Sequence, residues 1–203
     1  MKKTGFLFAA MLLLLSSCGG SDTTNLPTAE EIQKALNNMK GNYTGKADFY
    51  LINNGQAAET ETVQNITWTA DNIITVKNLP FAQLARGVAE NETLKTALAA
   101  YTGTQTFPLN YVYCYSAASN NYAFSLEPSD VLITLEYGGR THTVVVEFLH
   151  DSNYSYVRAT DADERIQIVA YNMYVDNVAT SFRPMGITLT SSKKTPLGFD
   201  LFE

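Results

Sequence analysis

The chain has 203 residues, of which 14 are Lys or Arg and 20 are Asp or Glu, giving a formal net charge of −6. Beyond the first few residues the basic side chains are scattered, with Lys193-Lys194 the only adjacent pair. That excludes the clustered basic footprint of a nucleic-acid binder and gives the body as a whole no attraction to an anionic membrane.

Lys2 and Lys3 form a positive start, and the apolar stretch Gly5 to Leu15 that follows has 11 residues. This suits the core of a secretory leader and falls short of the roughly 20 residues that a bilayer-spanning helix needs. Leu15-Ser16-Ser17-Cys18 then resembles the bacterial lipobox, whose cysteine is acylated before the leader is removed. The resemblance implies a lipoprotein signal peptide over residues 1–17. The mature chain would begin at lipidated Cys18, with 186 residues and a net charge of −8. Each buried acyl methylene contributes about 0.8 kcal/mol, so such a chain is anchored without spanning. The only other cysteine, Cys114, lies among apolar residues and reads as a small buried hydrophobe with no disulfide partner.

Gly19 to Leu26 is small and polar, so residues 18–26 read as the lipidated cysteine and a flexible tether. Within it, Asp22-Thr23-Thr24 resembles the three-residue O-glycosylation motif of secreted Bacteroidetes proteins. Residues 27–203 read as one mostly β domain. Thr28-Ala29-Glu30-Glu31 has the form of a capping box, followed by Ile32, Leu36 and Met39 at helical spacing, with Gly41 as a left-handed stop. From there the apolar period falls from 3.6 to 2. Strands are expected over Tyr43 to Ile52 and Glu59 to Trp68, joined by Asn53-Asn54-Gly55 in a type I′ turn, and over Ile73 to Lys77. Pro80 opens a helical insertion with Phe81, Leu84 and Val88, and Asn91 caps a second helical piece from Glu92 to Tyr101. The second half is again β: Phe107 to Ser116, Tyr122 to Glu127, and Val131 to Tyr137 paired with Arg140 to His150 through Gly138-Gly139. A short strand at Ser155 to Ala159, a polar turn over Thr160 to Glu164, and strands at Ile166 to Val178 and Gly186 to Thr190 complete the pattern. Many short strands with close turns specify an antiparallel barrel or sandwich.

Chemistry-bearing patterns are sparse. His142 and His150 share a face of one predicted strand, but eight residues at about 3.3 Å place them roughly 26 Å apart, too far to ligate one zinc ion. Asp161-Ala162-Asp163-Glu164 lacks the spaced acids and glycine of a calcium loop and reads as a solvated turn. No nucleophile elbow and no phosphate-cradling glycine loop occurs. No metal ligands, cofactor or catalytic residues are therefore assigned. The unusual enrichment is tyrosine, with 12 residues against one Trp. Tyr111, Tyr113 and Tyr115 alternate along a strand about 7 Å apart on one face, and become candidate ligand-stacking residues for a sugar or another flat ligand. A core edge or an exposed sheet face is the stronger reading of such a stripe.

Met39-Lys40-Gly41-Asn42-Tyr43-Thr44-Gly45-Lys46, a Gly-x-Tyr-x-Gly opening the first strand after a short helix, resembles the start of many Bacteroidetes lipoproteins. The segment Ile74 to Leu84, with Asn78-Leu79-Pro80-Phe81, is also similar to such families of unknown function, some described as calycin-like. The resemblance implies a barrel with Tyr43 closing one end. The helical insertion departs from a simple up-and-down barrel, and the family supplies no functional residues. The function expected is that of a membrane-tethered, non-enzymatic β domain of the cell envelope. It would bind a glycan, a small hydrophobic ligand or another envelope protein, on the outer membrane with the periplasmic face preferred. The alternatives are a hydrolase of envelope or dietary polymers and a structural or assembly lipoprotein. A cleft with converging acids or histidines would favour the hydrolase.

Overall fold

The computed structural model describes residues 27–116, 122–159 and 164–197; Tyr113, Tyr115, Ser116, Tyr122 and Ala159 are described by their backbone only. Cys18 and the tether lie outside the described residues, as do Asp161 and Asp163. Helix α1 (Ala29–Met39) is followed by strands β1 (Gly41–Asn53), β2 (Gln56–Ala70) and β3 (Ile74–Leu79). The insertion is a 3-10 helix (Phe81–Gly87) and helix α2 (Glu92–Ala99). Then come β4 (Gln105–Ser116), β5 (Tyr122–Pro128), β6 (Val131–Tyr137), β7 (Arg140–Phe148), β8 (Tyr156–Ala159), β9 (Glu164–Val175), β10 (Val178–Ala179) and β11 (Met185–Thr195).

The turns follow their residues. Asn54 and Gly55 have φ of 50° and 75°, and Gly138 and Gly139 have 58° and 78°, the paired positive values of a type I′ hairpin. A third such turn, Asp176-Asn177 at 50° and 66°, ends β9 three residues before the strand end expected at Val178. Helix α1 carries the full capping box at Thr28 and Glu31. Its stop differs from expectation: Lys40 is the C-cap and Gly41 already pairs with Ala70 in β1, so the glycine opens a strand instead of making a left-handed cap. Among the described residues no helix is long and apolar enough to cross a membrane.

Among the described residues every pairing is antiparallel, and the path β1-β2-β3-β4-β5-β8-β9-β11 returns to β1. This ring of eight strands is a barrel, and the sandwich alternative falls away. The β6–β7 hairpin stands beside it, joined where Val144 to Phe148 of β7 pair with Ala170 to Val175 of β9. β7 ends at Phe148 after a register shift, so His150 lies beyond the strand, not on the same strand as His142 as expected.

The interior is mostly apolar, and its hydrophobic side chains form one cluster. β1 alternates strictly, sending Tyr43, Ala47, Phe49 and Leu51 inward. The insertion buries Phe81, Leu84, Leu94 and Leu98 and meets the barrel through a T-shaped pair, Phe81 and Phe107, at 5.8 Å between ring centroids; Phe107 in turn lies 4.9 Å from Phe148 of β7. At about 25 cal/mol per Å² of apolar surface removed from water, this burial is the main stabilising term.

Candidate functional site

The start of β1, the end of β2, the end of β4, the start of β9 and the end of β11 meet at one end of the barrel, and α1 lies against it. Three contacts hold the C-terminal end of the helix there. The Tyr43 hydroxyl donates to the Met39 carbonyl at 2.5 Å, the Lys194 ammonium donates to the Asn38 carbonyl, and Lys40 pairs with Asp71 at 3.1 Å. A cation on the last carbonyls of a helix also opposes its dipole.

Beneath the helix the rings stack. Tyr43 lies 5.5 Å from Trp68 with the planes 8° apart, and the Lys194 ammonium sits 5.5 Å from the centre of the Tyr43 ring. Tyr43 therefore does close one barrel end, as the resemblance implies, and it does so between an indole and an ammonium.

Behind the stack lies Glu164, which is 0 % exposed. Its Oε1 accepts from the Trp68 indole nitrogen at 2.7 Å, while Oε2 has no hydrogen-bond partner among the described residues. Burial pushes the Glu164 carboxyl up to about 7, against the lowering pull of Trp68, Tyr43 and Lys194. Burial and the nearby Glu164 charge in turn raise the Tyr43 and Tyr111 phenols above their ordinary range. The arrangement is a neutral-range acid enclosed by aromatic rings, able to hold a proton or to accept one more hydrogen bond. Glu164 was expected in a polar turn; it is instead the first inward residue of β9.

The tyrosine stripe is interrupted. The β4–β5 register slips between Tyr111 and Tyr113, a bulge that leaves Val112 49 % exposed and Cys114 5 % exposed. Tyr111 is half-buried and packs on the core, its ring meeting that of Phe124 in a T-shaped contact at 5.5 Å between centroids. The side chains of Tyr113 and Tyr115 lie outside the described residues. Cys114 is buried as expected, and burial followed by the Glu31 charge pushes its thiol up to about 12.

The histidines sit apart. His142 Nδ1 is 2.8 Å from Asp176 Oδ2, and its ring stacks on Tyr137 at 3.9 Å. His150 Nε2 lies 3.1 Å from the Pro128 carbonyl and its Nδ1 3.6 Å from Glu127 Oε1. His150, Glu127 and Asp130 line an open depression of about 300 Å³ together with Asn110, Pro128 and Ser129. Among the described residues no group of three or more His, Cys, Asp or Glu side chains gathers to hold a metal ion.

Residues 38–175 match the family model described as Domain of unknown function (DUF4840), and the chain belongs to that family. The match takes in Tyr43, Trp68 and Glu164 and stops short of β11, the strand that closes the ring. No curated protein and no solved structure matches the chain.

Proposed function

We propose that the chain is a lipid-anchored binding domain of a Bacteroidetes cell envelope. Cys18 carries the acyl chains, and the barrel is held at the outer membrane on its periplasmic face. It acts by recognition, not catalysis. The observation that carries the reading is the way the chain divides at Thr28. Upstream stand a leader, a lipobox-like Leu15-Ser16-Ser17-Cys18 and a short polar spacer; at Thr28 a complete capping box begins the folded part. The spacer from Cys18 to Thr28 reaches at most about 35 Å when fully extended, which keeps the domain within one domain diameter of the bilayer.

The interior supports recognition at the surface, because the core side chains form one continuous cluster. The test is expression of the full chain and of Cys18→Ser, followed by membrane fractionation and mass spectrometry of the N-terminal peptide. The expected result is an acylated peptide starting at Cys18 in the membrane fraction, with the variant unacylated and still carrying residues 1–17, because acylation precedes removal of the leader. An unmodified Cys18 in a soluble full chain overturns the anchor. Protease treatment of intact cells decides the face, and loss of the protein there overturns the periplasmic assignment.

A hydrolase is the second reading, on the strength of the depression that brings together Glu127, Asp130 and His150. The His150 and Glu127 side chains are 50 % and 53 % exposed, so they lack the dry, preorganised setting on which acid–base catalysis depends. Polymer hydrolysis that disappears in Glu127→Gln and Asp130→Asn would reverse the order of the two readings.

A further inference from the structure

One row on the outer wall of the barrel sets like charges against each other. Pairing aligns Lys46 of β1 with Thr190 of β11, Thr190 with Arg165 of β9, and Arg165 with Arg158 of β8. The adjoining residues Ala47, Leu189, Ile166 and Val157 are buried, so alternation turns the row outward. Directly opposed residues have Cβ atoms about 5 Å apart, and like charges in that relation repel.

Among the described residues the repulsion is relieved only at a distance, by the charge of Asp48 acting on Arg165. Among the described residues neither guanidinium has a carboxylate at ion-pair distance. The acid beside the row, Asp48, is taken by Lys46 at 2.8 Å and Thr62 at 2.5 Å. The Arg158 guanidinium lies 4.8 Å from the centre of the Tyr156 ring, and Tyr156 donates to Gln167 at 3.1 Å. That stacking orients the guanidinium without neutralising it. An opposed arginine pair with no described carboxylate at ion-pair distance is a receptor for an oxyanion, since two guanidinium forks can clamp one carboxylate or sulfate.

We propose that this row binds an acidic glycan, with Arg158 and Arg165 clamping a carboxylate or sulfate on one sugar. The row crosses four strands, about 14 Å, which suits an extended oligosaccharide better than a single headgroup. Gln167, Tyr156 and Thr190 alongside offer amide and hydroxyl groups to sugar hydroxyls. The site does not depend on the anchor, so the mature chain from residue 18, made without its leader and with Cys18→Ser, carries it in soluble form, and failure of anchoring and failure of glycan binding are read separately.

The experiment titrates that chain with an oligogalacturonate, a dextran of similar length, and vesicles of phosphatidylglycerol and phosphatidylcholine. Oligogalacturonate is expected to bind saturably and to weaken with added salt, and dextran not to bind. Arg158→Gln and Arg165→Gln are each expected to weaken binding about tenfold or more. Without ligand the variants should melt at the same temperature as the parent or higher, because the repulsion is gone; a lowered melting temperature would make the arginines structural and overturn the proposal. So would binding unchanged in the double variant, equal binding of dextran, or tighter binding to the vesicles than to the oligogalacturonate.

Discussion

The Trp68 indole donates to Glu164 Oε1 at 2.7 Å, joining two residues 96 positions apart. One belongs to the strand leaving the first hairpin and the other to the strand entering the last part of the ring. The bond ties opposite sides of the barrel end together, and it gives a buried carboxylate only one donor for two oxygens. A half-satisfied buried acid is costly when charged and tolerable when neutral.

Stability should therefore fall as pH rises. The Glu164 carboxyl is raised from 4.5 in the unfolded reference to about 7 in the folded chain. Between those values the folded state holds more proton than the unfolded state. The group's contribution is fully present below about 4.5 and is lost as pH climbs through 7. The shift corresponds to about 3 kcal/mol across that window. Glu164→Gln keeps an acceptor for Trp68 and cannot ionise, so it should match the parent near pH 5 and exceed it near pH 8. Urea unfolding followed by the fluorescence of Trp68, the single tryptophan, reads both. Parallel pH profiles for parent and variant would show that Glu164 does not titrate in this range.

How far the sequence spoke is clear at particular residues. Asn54-Gly55 and Gly138-Gly139 were legible because a type I′ turn demands positive φ at both centres, and few other residues supply it. Thr28 and Glu31 were legible because a capping box is a local hydrogen-bond pattern. Glu164 was not, although Glu164, Ile166 and Ile168 share the inward parity of β9. An acid beside Asp161 and Asp163 reads as turn, and only the distant Trp68 makes it bearable inside. The bulge at Val112 was illegible for a similar reason, since cross-strand register leaves no trace in the period of one strand. Ring closure depends on β1 meeting β11 some 140 residues later, which local pattern does not encode.

Gly45, the second glycine of the Gly-x-Tyr-x-Gly motif, marks that closing seam. A Cβ placed there would lie 2.0 Å from the Thr190 carbonyl oxygen, and the β1–β11 register shifts between Thr44 and Gly45. The intruding contact is backbone, so a rotamer change cannot relieve it. Gly45→Ala should cost about 3 kcal/mol, the upper end for overpacking. Hydrogen exchange should show its protection losses concentrated on Lys46 to Leu51 and Met185 to Thr190. A variant as stable as the parent would mean that the seam shifts freely.

Thr28 tests whether α1 is a separable cover. Its side chain accepts from the Glu31 amide at 3.3 Å, and its own amide donates to Glu31 Oε2 at 2.7 Å. Thr28→Ala should cost the helix about 1 kcal/mol. Amide protection should fall over residues 29–39 and hold in the β1–β11 ladder. Equal loss everywhere would show that helix and barrel unfold as one unit.

Asp176 joins two hairpins through one carboxylate. Oδ1 accepts from the Thr143 amide at 2.9 Å and Oδ2 lies 2.8 Å from His142 Nδ1, so the turn after β9 is fastened to the middle of β7. The Thr143 amide, then His142, hold the carboxyl below its ordinary value. For an acid lowered on folding, the stabilisation is present above the unfolded pKa and is lost as pH falls through the folded one. Asn tolerates the positive φ of 50° at this position, so Asp176→Asn removes the charge without breaking the turn. The variant should lose stability at neutral pH and show a shallower decline on acidification, because one of the groups driving that decline is gone. Exchange of the Thr143 and Asp176 amides should quicken. Acid unfolding curves that superimpose for parent and variant would reduce the His142–Asp176 contact to a solvent-screened pair with no part in holding the hairpins together.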